Sequence, residues 1–172
     1  MSKRILHIVT NIDKYENVDR PTGLWLGELT HAYDQFEKEG YFQDIVSPLG
    51  GRSPIEPKSL EHFVADKSVL KRLNDPKFME LLENTKKPSD INWSDYDVIY
   101  YTGGHGVMWD FLDNPELQEI TKNIYEKGGI VSSVCHGYCK KITGFAWREE
   151  ILAGVAKKVP YNAEQLAKER GA

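Results

Sequence analysis

Four short apolar runs limit what this chain can fold into. Residues 5–9 (ILHIV), 42–46 (FQDIV), 97–101 (DVIYY) and 130–134 (IVSSV) each have strand length, and stretches of helical period separate them. Strands that alternate with helices predict parallel βαβ units in an open α/β sheet. The first helix opens near Pro21-Thr22-Gly23, with Thr22 or Gly23 as its cap. Trp25, Leu29, Ala32, Tyr33 and Phe36 form its apolar face, and Gly40 ends it. Residues 47–57 read as a Pro/Gly-rich loop. Residues 66–85 read as two short helices split at Asp75-Pro76. Residues 115–126 read as a helix started by Asn114-Pro115 and stopped by Gly128-Gly129.

At 172 residues the chain suits one domain spanning 1–172. The net charge of −4 lacks the basic footprint of a nucleic-acid binder. No apolar run has the length of a membrane span, so no membrane association is expected. The apolar stretch after Lys3-Arg4 is too short for a signal-peptide core and reads better as the first strand. Cys135 and Cys139 form neither a disulfide framework nor a CxxC pair, which points to a reducing, cytoplasmic setting. The five histidines (7, 31, 62, 105 and 136) show no close ligand spacing, so no metal is expected.

Ligands of open α/β sheets sit at the carboxyl ends of the strands. The two most unusual stretches, 103–110 and 135–139, both follow strands directly. In Ser133-Val134-Cys135-His136-Gly137 a nucleophile-type residue stands between small residues two before and two after it. That is the spacing of a nucleophile elbow, a tight strand-to-helix turn that exposes the side chain. A following helix N-terminus would lower the thiol pKa; the competing reading is an inert core thiol. His136 can serve as a general base, with its amide facing an oxyanion, or be an ordinary satisfied polar group. Glu28 falls on the apolar side of the first helix, where burial would raise its pKa; the plainer reading is a first-turn acid that favours the helix dipole. Gly103-Gly104-His105-Gly106 can present amides to an anion, or be a plain turn. The four tryptophans suit core or pocket wall, and the Glu/Lys mix over 162–170 a solvated helix face.

Three motifs in order, PTGLWLGEL (21–29), GGHGVMWD (103–110) and SSVCHGY (132–138), resemble the DJ-1/PfpI superfamily, and within it the Hsp31-like glyoxalase III branch. The resemblance implies a flavodoxin-like three-layer αβα sandwich with a mainly parallel sheet. It implies Cys135 as nucleophile, His136 beside it in the triad and Glu28 against the thiol. The acidic third member follows Thr143-Gly144-Phe145; alignment on Gly154-Val155 favours Glu150, with Glu149 as the alternative. Gly104, with the His136 amide, matches the oxyanion site, and Gly103 and His105 join the substrate-binding loop. Only residues 138–142 separate the elbow from that later strand, where relatives carry more helix and a hairpin. The chain also stops where relatives continue. The sandwich is therefore expected to be shortened in both places, exposing apolar surface that favours self-association.

The activity implied is glutathione-independent conversion of methylglyoxal to lactate, with protein deglycation as a possible use of the same residues. It needs no cofactor, acts on a small dicarbonyl and is expected in a homodimer or other homo-oligomer. Two further functions fit the same motifs: a stress-response holdase or cysteine redox sensor, and a cysteine peptidase or amidase. A shortened inactive homologue is the remaining reading.

Overall fold

The computed structural model describes residues 2–137 and 147–169. The order is β1 (Arg4–Ile8), α1 (Leu26–Lys38), β2 (Phe42–Val46), α2 (Lys67–Leu73), α3 (Pro76–Glu83), β3 (Val98–Tyr101), α4 (Val107–Asp110), α5 (Pro115–Glu126), β4 (Ile130–Ser133), α6 (Trp147–Leu152) and α7 (Ala163–Glu169). The four strands pair in the order β2-β1-β3-β4, and every pairing is parallel. All carboxyl ends therefore lie along one edge. The winding of the sheet reverses between the neighbouring strands β1 and β3, which opens a crevice at that edge.

Alternation along the strands sends successive side chains to opposite faces. Leu6, Ile8, Ile99 and Tyr101 pack with Val107 and Phe111 of the α4 segment and with Leu117, Ile120 and Ile124 of α5. On the other face Ile45 packs with Leu26 and Leu29 of α1, Val69 of α2, and Phe78 and Leu82 of α3. The result is the expected αβα layering. His7 lies fully buried on the α1 face, its Nε2 2.8 Å from Gln43 Oε1. Burial lowers its pKa to about 4, partly opposed by the Gln43 hydrogen bond, so His7 is a neutral core residue. Among the described residues a third cluster of Tyr15, Met108, Val159 and Ala163, joined by Trp109 and Trp147, fastens the C-terminal segment over the carboxyl edge.

Local chemistry explains the boundaries of three helices. Asp66, Asp75 and Asn114 each accept first-turn amides of α2, α3 and α5. α1 differs from expectation: its N-cap is Trp25, not Thr22 or Gly23. The Leu24 amide donates to the Pro54 carbonyl at 2.8 Å and the Trp25 amide to the Gly103 carbonyl at 3.1 Å, which holds this segment extended. The Leu26 amide then finds Ser59 Oγ at 3.3 Å. Trp25 thus leaves the apolar face of α1 and turns to a cleft. Among the described residues β4 is the outermost strand on its side, with Ile130 and Val131 exposed, alongside Tyr125 of α5. No described helix is long and apolar enough to cross a membrane. Cys139, Thr143-Gly144-Phe145 and the 138–142 connection lie outside the described residues.

Candidate active site

Cys135 stands two residues past the end of β4 with φ of 54°. Among the described residues it is the one non-glycine residue with positive φ. A left-handed backbone costs a side-chain-bearing residue about 1–2 kcal/mol, so the surroundings must enforce it. Gly137 allows the turn to close: a Cβ there would lie 2.4 Å from the Thr102 carbonyl oxygen. The spacing of small residues around Cys135 has this steric origin.

Four groups surround the sulfur. His136 Nδ1 lies 3.0 Å away. Glu28 reaches it from α1, and the amides of Gly104 and His136 direct their hydrogens at it. The thiol pKa is nevertheless pushed well up, by burial first and by the Glu28 charge second, against those two amides. This corrects the expectation of a lowered thiol pKa. Desolvation outweighs nearby dipoles here, and the resting group is a thiol.

The Glu28 carboxylate is pinned by the Gly103 amide, which donates to Oε2 at 2.8 Å. Burial raises its pKa to about 6, opposed by its hydrogen bonds with Cys135 and Gly103. The Gly103 amide, part of a loop read as able to present amides to an anion, is therefore committed to Glu28. A side chain at 103 would meet Glu28 Oε2 at 2.5 Å and Cys135 Cβ at 2.7 Å.

Glu150 is buried on α6, and its Oε1 closes on His136 Nε2. Its Oε2 lies 3.1 Å from His105 Nε2. Burial pushes the Glu150 pKa up, but hydrogen bonds from His105 and His136 prevail and bring it to about 2. Burial lowers the His136 pKa against the pull of Glu150. An ionised Glu150 facing a neutral His136 sets the tautomer: Nε2–H donates to Glu150, and Nδ1 keeps its lone pair toward sulfur. Glu149, the alternative acid, is exposed.

Cys135, His136, Glu28, Glu150, Gly103, Gly104 and His105 thus converge from four segments. Of these, Cys135, His136, Glu28, Gly104 and His105 open on a cleft of about 430 Å³, walled by Trp25, Arg20, Glu56, Lys58, Ala153 and Val155 as well. Trp25 fits the expectation of a tryptophan in core or pocket wall; sequence reading missed the other walls, and it missed Tyr15, whose buried ring sits 5.8 Å from that of His105. A single aromatic in a polar loop carries no periodic signal. It also missed that His105, His136 and Glu150 form a group of metal-ligand type, because 45 positions separate the outer two.

A parallel α/β sheet that presents a strained cysteine beyond a strand, with a histidine–glutamate pair behind it, defines a cysteine-elbow α/β protein. Residues 23–143 match the DJ-1/PfpI family, and the chain belongs to it. Among its relatives, Glyoxalase 3 of Candida albicans is 30% identical over 195 positions, covering 100% of this chain and 82% of the relative. The alignment is longer than the chain, so it opens gaps opposite it. Glutathione-independent glyoxalase HSP31 of Saccharomyces cerevisiae is 30% identical, over 99% of this chain and 81% of its own length. Rapid Encystment Protein 24 kDa of Francisella tularensis superposes with a TM-score of 0.93 at 34% identity, over 99% of this chain and 82% of that one. The crystal structure of Candida albicans glyoxalase III gives 0.85 at 29% identity, over 99% and 81%.

Proposed function

We propose that this chain converts methylglyoxal, or a similarly small 2-oxoaldehyde, to the 2-hydroxy acid without glutathione. The observation that carries the reading is the Cys135 thiol on its strained turn, held between His136 Nδ1 at 3.0 Å and the Glu28 carboxylate. Relatives named Glyoxalase 3 and glutathione-independent glyoxalase support it.

The thiol sulfur adds to the aldehyde carbon while His136 Nδ1 takes the thiol proton and returns it to the new alkoxide. This gives a hemithioacetal. The amides of Gly104 and His136 stabilise the charge as it develops on oxygen. Glu28 then removes the hydrogen from the former aldehyde carbon and, through an enediol, delivers a proton to the neighbouring carbon, while the hydroxyl proton on the first oxygen passes to the former ketone oxygen. One carbon is oxidised and the other reduced, so the rearrangement is redox-neutral and yields a thioester. Water cleaves the thioester, releasing lactate and restoring the thiol. Glu150 holds His136 in the tautomer this requires.

A Glu28 pKa near 6 suits a group that must both take and give a proton near neutrality. The test is lactate production from methylglyoxal without glutathione, by the native chain and by Cys135→Ala. Production lost in the variant supports the reading; equal production from both overturns it.

Acyl transfer by the same cysteine is a second reading, favoured by the His136–Glu150 pair. Peptide or amide hydrolysis surviving Glu28→Gln would select it. We also place the protein in the cytoplasm as a homo-oligomer. The exposed apolar Ile130 and Val131 of β4 support self-association.

A further inference from the structure

The group formed by His105, His136 and Glu150 has a chemistry that the proposed reaction does not use. One ligand atom from each residue lies within 4.8 Å of the other two. The two imidazole rings sit 4.6 Å apart, centre to centre. Two imidazoles and a carboxylate are a set that zinc accepts with its fourth position open. Zinc bonds of about 2.0–2.2 Å in a tetrahedron put donor atoms about 3.3–3.6 Å apart, which the three groups, already within 4.8 Å of one another, reach by small side-chain adjustments. His136 and Glu150 are buried, while His105 is partly exposed and borders the cleft through which an ion would enter.

We propose that His105, His136 and Glu150 form an inhibitory site for a borderline divalent cation, with zinc the best match. The inhibitory half rests on the function proposed above; the binding half does not. The ion would be held by Nε2 of each histidine and by the Glu150 carboxylate. The sulfur of Cys135 faces the other nitrogen of the His136 ring and stands outside the ligand set.

Coordination changes what His136 can do. A metal on Nε2 needs the lone pair there, so the ring proton moves to Nδ1 and points at sulfur. Nδ1 can no longer accept the thiol proton. Glu150, drawn onto the ion, no longer orients the ring for catalysis. Magnesium and calcium prefer all-oxygen sets and serve as control ions.

The test measures Zn²⁺ binding to the full chain by calorimetry and Co²⁺ binding by absorption. Native chain and Cys135→Ser are expected to bind one ion with similar affinity. The cobalt complex should lack a thiolate charge-transfer band. His105→Asn should weaken binding by more than about tenfold, the lower range for losing even an outer-shell partner. Zinc X-ray absorption on the native chain counts nitrogen, oxygen and sulfur ligands directly, which decides the site even where a variant does not fold. Failure of the native chain to take up micromolar zinc, a sulfur ligand, or binding lost in Cys135→Ser and kept in His105→Asn overturns the proposal. In a separate assay, zinc should suppress lactate production with the midpoint of binding. Binding at the three residues with production unchanged removes the inhibitory half. A chain that makes no lactate even without zinc refutes the glyoxalase reading and leaves the binding result standing.

Discussion

The Glu28 carboxylate accepts the amide hydrogen of Gly103 at 2.8 Å, across 75 positions of sequence. That bond keeps a buried carboxylate beside the Cys135 thiol, where its charge adds to burial in keeping the proton on sulfur. Glu28→Gln preserves an oxygen acceptor for Gly103 and removes the charge. Lactate formation should fall by about 10²–10⁴, the span typical of losing a positioned base. Iodoacetamide labelling of Cys135 should titrate at lower pH than in the native chain. Full turnover, or labelling shifted to higher pH, would contradict the role given to Glu28.

The same carboxylate sets the acid limb of activity. Burial raises its pKa to about 6, so it is protonated and idle as a base below that value. kcat/KM for methylglyoxal should rise with pH through about 6 and then level off. In Glu28→Gln the residual rate should lack this limb. A pH–rate profile of both proteins checks it; a limb that persists in the variant belongs to another group.

What could be read from sequence was what local chemistry decides. Asp66, Asp75 and Asn114 cap helices within three residues of themselves, so those starts were visible. The elbow was visible because its steric demand falls on adjacent residues. The start of α1 was not, because carbonyls of Pro54 and Gly103 hold its entry. The thiol pKa was misjudged for a related reason: a dipole can be guessed from chain order, but burial cannot. Alignment on Gly154-Val155 favours Glu150 over Glu149, but only the fold supplies the physical reason. On α6 Glu150 is buried against two histidines and Glu149 is exposed.

That difference is testable. Glu150→Gln leaves His136 without an ionised partner to fix its tautomer, and lactate production should drop by more than about tenfold. Glu149→Gln should stay within about twofold of native, as surface substitutions do. Steady-state kinetics of the two variants decides; a larger loss in Glu149→Gln would move the acid one position back.

Asp110 takes no part in the proposed chemistry. Its Oδ2 accepts from the Asn11 amide at 2.8 Å and the Thr10 hydroxyl at 2.9 Å, while Oδ1 is buried with no partner among the described residues. Burial raises its pKa to about 6, opposed by those bonds. The folded chain therefore holds this proton over a range where the unfolded chain has lost it. The group's contribution to stability falls as pH rises from about 4 to about 6. Asp110→Asn lacks that fall, so relative to native it should gain about 1–3 kcal/mol between about pH 4 and about pH 7. Urea midpoints at both pH values measure the difference. An equal difference at each would show that Asp110 does not titrate in this window.

Two glycines separate backbone strain from site packing. Gly40 follows α1 with φ of 70°, and a Cβ there meets nothing within 4 Å. Gly40→Ala should cost about 1 kcal/mol of stability, the left-handed penalty alone, with lactate production unchanged. Gly103 has an ordinary φ, so alanine pays no such penalty there. Its Cβ would instead press on Glu28 Oε2 at 2.5 Å, Cys135 Cβ at 2.7 Å and the His136 amide nitrogen at 3.0 Å. Overpacking of this kind costs about 1–3 kcal/mol. The groups that must yield are the ones assigned to the chemistry. Gly103→Ala should therefore lose most of its lactate production at a temperature where the chain is still folded. Thermal unfolding and turnover of the two variants, measured together, distinguish the cases. Native turnover in a folded Gly103→Ala would mean that the reaction does not depend on how Glu28, Cys135 and His136 are packed.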